Sequence, residues 1–77
     1  MTQSELTQRQ IEQRERLISL LERELANLIR ARRRLARMKL ADELAECEHR
    51  INQIKCHIAR NKATFMRLTE MKEVEDE

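Results

Sequence analysis

Two apolar stripes run along this chain in steps of three and four residues, and they do not share a phase. The first passes through Ile11, Ile18, Leu21, Leu25, Leu28 and Leu35, interrupted at Arg14 and Arg32. The second passes through Leu44, Cys47, Ile51, Ile54, Ile58, Phe65 and Leu68, with Asn61 its one polar member. Such steps keep side chains on one helical face and describe the seam of a coiled coil. Leu35 and Leu44 stand nine residues apart, so at roughly 100° per residue a straight helix would carry the second stripe about 180° away from the first. A rod would expose both seams on opposite sides. A chain that turns back near Leu40 brings both inward.

The fold-back sets a register. Leu35 pairs with Leu44, Leu28 with Ile51, Leu25 with Ile54, Leu21 with Ile58, Ile18 with Asn61 and Ile11 with Leu68, each pair of residue numbers adding to 79. Arg14 then faces Phe65, a cation–π geometry worth about 0.5–1 kcal/mol at a partly exposed site.

Composition agrees with helices alone. The chain has no glycine, proline, tryptophan or tyrosine, and 39% of it is charged, which removes the usual material of turns, strands and ligand pockets. The expected fold is all-α: a two-helix antiparallel hairpin, coiled-coil-like, oligomerising into a helical bundle. Residues 1–77 form one unit, with helix 1 over about 3–39, a bend at about 39–42, helix 2 over about 43–72 and a frayed acidic tail at 73–77. Thr2 and Glu5 have the spacing of a capping box that opens helix 1, and Asp42 is the natural N-cap of helix 2. With no glycine at the bend, the left-handed residue that ends helix 1 has to be Lys39, Leu40 or Ala41.

Catalysis and metal binding find no support in the residue pattern. Ser4 and Ser19 have no spaced His–Asp partners, and the chain has no glycine loop to hold phosphate. Cys47, His49, Cys56 and His57 look like metal ligands until placed on a helix, where they spread over different faces; a tetrahedral site needs ligands one turn apart or from a second segment. We expect a non-enzyme with no catalytic residue, no metal, no cofactor and no small-molecule substrate.

Association is the stronger signal. Leu17, Leu20 and Ile29 flank the first seam, and Met66 and Met71 lie off the second, so one neighbouring helix leaves them wet. Covering three such aliphatics contributes on the order of 4–9 kcal/mol, comparable with the whole stability of a small domain. These five residues are the candidate partner interface, for a homodimer or a heterologous helical partner. In architecture alone the chain resembles the small RNA-binding hairpin dimers of plasmid copy-number control and the small helical co-chaperones of secretion systems, and no residue motif ties it to either.

Arginines set up the alternative. Arg30, Arg33, Arg34 and Arg37 form an outward ridge able to neutralise about three or four phosphates. The electrostatic expectation is that they instead run beside Asp42, Glu43, Glu46 and Glu48 of helix 2. A bZIP-like reading of residues 27–37 is disfavoured, because Leu28, Ile29 and Leu35 make that segment amphipathic. Arg32 and Asn61, polar residues on the seams, are candidates for specifying register. The expected function is a protein–protein interaction module, a small adaptor, co-chaperone or regulator. The alternative is a nucleic-acid-binding regulator using the ridge. No apolar stretch approaches a membrane span, so no membrane partner is expected, and reduced cysteines suit a cytoplasmic setting.

Overall fold

The computed structural model describes residues 2–76 as two antiparallel helices, α1 (Gln3–Arg37) and α2 (Ala41–Glu75). The pair measures 56 × 14 × 14 Å, about half the 115 Å that an unbroken helix of this chain would span at 1.5 Å per residue.

Helix α1 opens on the capping box. The Thr2 hydroxyl accepts the Glu5 amide at 3.2 Å, and the Glu5 carboxylate accepts the Thr2 amide at 3.4 Å. Its other end closes without glycine. Lys39 takes the left-handed conformation at φ 58°; its amide donates to the Ala36 carbonyl, and the Leu40 amide donates to that of Leu35, each at 3.2 Å. Those two bonds make a Schellman motif, in which the residue after the left-handed one lies over the last turn. Leu40 and Leu35, the apolar pair of that motif, are both half-buried.

The same closure corrects the expected start of α2. Leu40 is the N-cap, with no side-chain cap bond, and its carbonyl accepts the Leu44 amide at 2.9 Å. Asp42 is therefore not the N-cap. It lies with Glu43 in the first turn, where a carboxylate still complements the helix dipole. Because Leu40 both ends the Schellman motif and starts the next helix, the connection is only residues 38–40.

Residues 73–75, expected as part of an acidic tail, are helical. Helix α2 runs to Glu75 with Asp76 as its C-cap. The Ser4 hydroxyl donates to Asp76 Oδ1 at 3.0 Å, the Thr7 hydroxyl to Glu75 Oε1 at 3.1 Å, and Lys72 Nζ to Gln8 Oε1. Thr7 is 1% exposed. It continues the first seam one step before Ile11, as Lys72 and Glu75 continue the second beyond Leu68.

The core is built from both seams. Ile11 and Ile18 of α1 and Cys47, Ile51, Ile54 and Ile58 of α2 are buried, Ile51 and Ile54 to 1% exposure. Leu21, Leu25, Leu28, Leu35, Leu44, Phe65 and Leu68 are half-buried. A helix pair has only one contact line, so solvent still reaches the seam residues from its two edges. The Cys47 thiol donates to the Leu28 carbonyl at 3.3 Å. The Arg14 guanidinium bonds Asn61 across the seam, and Phe65 lines a groove with Ile18, Lys62 and Met66.

Candidate functional site

Two ion pairs define the long edges of the hairpin. Arg50 of α2 meets Glu24 of α1 at 3.0 Å, and Lys62 meets Glu22 at 3.9 Å. Glu24 and Glu22 occupy the two heptad positions that flank the seam from opposite sides, so the bridges identify which residues share an edge. Leu17 and Met38 lie whole heptads from Glu24, and Met71 lies whole heptads from Arg50. Leu6, Leu20 and Val74 sit three residues beyond that position, on the adjoining strip of the same side.

These six side chains are all exposed, from 40% for Leu17 to 70% for Val74. The one other exposed large apolar residue among the described residues is Met66, which belongs to the Glu22–Lys62 side. Of the five residues singled out in the sequence, Leu17, Leu20 and Met71 lie on this one side of the hairpin, the first two midway along it and Met71 at its open end. Ile29 and Met66 lie on the opposite side, Ile29 half-buried. Leu6, Met38 and Val74 were not anticipated. The heptad offset from Glu24 and Arg50 identifies them only once the cross-helix pairing is known.

The arginine ridge is placed as drawn from the sequence, and its neighbours are not. Arg30, Arg33, Arg34 and Arg37 are all exposed on α1, and Arg32 is half-buried. Arg30 donates to Asn27 of its own helix. Among the described residues neither ion pair involves the ridge, so the expected pairing with Asp42, Glu43, Glu46 and Glu48 does not form. Arg30 and Arg37 share the outward heptad position of α1 and Asp42 the matching position of α2, so these side chains point away from the opposite helix.

The remaining surface offers little enclosure. Its grooves are open to solvent, including one along α2 lined by His49, Cys56, His57 and Arg60. Among the described residues no group of three His, Cys, Asp or Glu side chains is arranged to hold a metal ion. Cys47 and Cys56 are free, the first buried and the second exposed. None of the described helices is long and apolar enough to cross a membrane. No protein-family model, curated protein or solved structure matches the chain.

Proposed function

We propose that this chain is a non-enzymatic protein–protein interaction module, a small coiled-coil adaptor, co-chaperone or regulator that works through its exposed apolar side. The observation that supports it most is the segregation of Leu6, Leu17, Leu20, Met38, Met71 and Val74 onto the Glu24–Arg50 side. Scattered surface leucines are ordinary, whereas apolar side chains collected along one side of a thin molecule form a surface that water covers at a cost.

A photo-cross-linking residue at Leu20, compared with one at Met66 on the far side, tests this in cells that make the protein. A discrete polypeptide adduct at Leu20 and none at Met66 is the expected result. Absence of any adduct at Leu20 would remove the reading.

A second reading has its own observation. The ridge arginines make no cross-helix bond, so their charge is free for phosphates or an acidic partner. Replacing Arg30, Arg33, Arg34 and Arg37 with alanine should leave stability within about 0.5 kcal/mol, as for surface substitutions that break no specific interaction. Duplex binding that falls steeply with salt and vanishes in that variant would promote a nucleic-acid regulator over the interaction module.

A further inference from the structure

We infer that the apolar side seats an acidic amphipathic helix of another polypeptide, with that helix's apolar stripe on Leu17 and Leu20 and its carboxylates on the arginines around them. The inference rests on the interaction-module reading and names the chemistry of its partner. Shape, charge and the disposition of the acids carry it.

On the Glu24–Arg50 side the two helices leave a groove lined by Gln10, Gln13, Arg14, Leu17, Thr64 and Leu68. Gln10 and Leu17 lie whole heptads from Glu24, and Thr64 lies whole heptads from Arg50, so the groove runs along the edge where α1 meets α2. A furrow between two antiparallel helices is the seat that a third helix takes in a bundle, and an amphipathic helix held there lays its apolar face into the furrow. Leu17 and Leu20 are the large apolar side chains exposed midway along it.

Cations stand on both banks of the groove. Arg16 and Arg23 lie one turn before and one turn after Leu20 on α1, and Arg60 and Arg67 lie one turn before and one turn after Thr64 on α2. These arginines are exposed, and among the described residues neither ion pair involves them. Arg14, in the wall of the groove, is bonded to the neutral amide of Asn61, which leaves its charge uncompensated. Arginine presents a planar fork of donors that grips a carboxylate through two parallel bonds.

The acids of the same stretch are turned the other way. Between residues 9 and 23 of α1 and the facing residues 56–69 of α2 they are Glu12, Glu15 and Glu22, and Glu22 pairs with Lys62 on the opposite side. Glu15 shares the heptad position of Glu22, and Glu12 lies on the strip beside it. Beyond this stretch Glu24 is taken up by Arg50. Uncompensated acids return only at Glu43 and Glu46 towards the bend, and at Glu70 beside Arg67 and Met71 at the open end. The positive stretch is thus about two heptads, or roughly 21 Å, long. A second copy presenting this same side would set arginine against arginine, and the phosphates of a duplex would cover no leucine. A bilayer is flat where this surface is furrowed, and it would strip water from Gln10, Gln13 and Thr64 without giving them partners. An acidic amphipathic helix meets the leucines and the arginines together.

The probe is a three-heptad peptide with leucine at both seam positions and glutamate at both flanking positions, compared with a counterpart that carries lysine in place of glutamate. Fluorescence anisotropy reads binding to the full chain in about 0.15 M salt, where charges are screened over about 8 Å. The glutamate peptide should bind and the lysine peptide should not. Arg16→Glu with Arg60→Glu should weaken binding at least about tenfold, and Leu17→Glu with Leu20→Glu should abolish it. The same charge change on the opposite side, Arg33→Glu with Lys55→Glu, should leave binding within about twofold. All of these residues are exposed, so circular dichroism should stay helical in every variant. No binding of the glutamate peptide, equal binding of the lysine peptide, or a wild-type dimer that Leu17→Glu with Leu20→Glu dissolves would overturn the inference. So would sedimentation with vesicles of phosphatidylserine and phosphatidylcholine that the same two substitutions prevent. A polypeptide photo-adduct at Leu20 without binding of the glutamate peptide overturns the acidic-helix inference alone, whereas no adduct at Leu20 removes the interaction reading with it.

Discussion

Arg14 of α1 donates a hydrogen bond of 2.5 Å from its guanidinium Nη1 to Oδ1 of Asn61 on α2. Asn61 in turn donates through Nδ2 to the His57 carbonyl of its own helix at 2.7 Å. The amide is thus held from one side and holds the arginine from the other, a polar contact in a stretch of seam, from Ile11 to Leu28 and from Ile51 to Leu68, whose other members are apolar. Such contacts cost stability relative to a hydrophobic pair but penalise misaligned registers. Asn61→Leu should lower stability by about 1–2 kcal/mol, since it leaves a half-buried guanidinium without its acceptor. Arg14→Leu combined with Asn61→Leu should recover most of that loss. Urea denaturation of the four members of the cycle checks it, and an additive double variant would deny the coupling.

Lys39 carries the strain of a glycine-free bend. A side chain with a Cβ in the left-handed region costs roughly 1 kcal/mol, and the Schellman bonds to Ala36 and Leu35 keep it there. Lys39→Gly should therefore stabilise the hairpin by about 0.5–1 kcal/mol, the reverse of the usual penalty for introducing glycine. A raised urea midpoint at an unchanged slope is the expected signature.

The open end is tied by side chains of both helices. The Thr7 hydroxyl has one proton and lies within bonding distance of both the Gln3 carbonyl, at 2.9 Å, and Glu75, at 3.1 Å, so it can satisfy only one at a time. Ending the chain after Lys72 removes the Glu75 and Asp76 acceptors. Amides in the first two turns of α1 should then exchange faster, with a stability loss of about 0.5–1.5 kcal/mol. Unaltered exchange would mean that these contacts do not anchor the terminus.

The two thiols should separate by accessibility. Cys56 is exposed, whereas Cys47 is 8% exposed and bonded to the Leu28 carbonyl. Iodoacetamide should label Cys56 promptly and Cys47 only as the hairpin opens, at a rate that rises with urea. Equal labelling rates in water would contradict the packing of the seam.

How far the sequence reached can be read at particular residues. The two seams, their opposite phase and the turn near Leu40 were legible because periodicity of three and four survives single polar interruptions such as Arg14, Arg32 and Asn61. The position of the left-handed residue was narrowed to three candidates, and backbone hydrogen bonding selected Lys39. Asp42 misled because capping preference is a local signal, and here the closure of the preceding helix decided where the next begins. Acids at a helix C-terminus oppose its dipole only modestly, and at this end Ser4 and Thr7 of α1 donate to Asp76 and Glu75, contacts between helices that no local pattern contains. The apolar side was only half legible. Exposure of Leu17, Leu20 and Met71 could be read from each helix alone, but which side of the hairpin each residue occupies depends on pairing between helices, and no single-helix pattern contains it.

The most direct test of the fold-back is a distance within one subunit. Spin labels placed at Gln10 and Glu70, both exposed, in a Cys56→Ser background and diluted with unlabelled chain, report that separation by pulsed dipolar spectroscopy. Packed neighbouring helices have axes about 8–10 Å apart, so the hairpin predicts a distance below about 25 Å once label arms are included. A single separation near 90 Å, the span of sixty residues of unbroken helix at about 1.5 Å each, would contradict it.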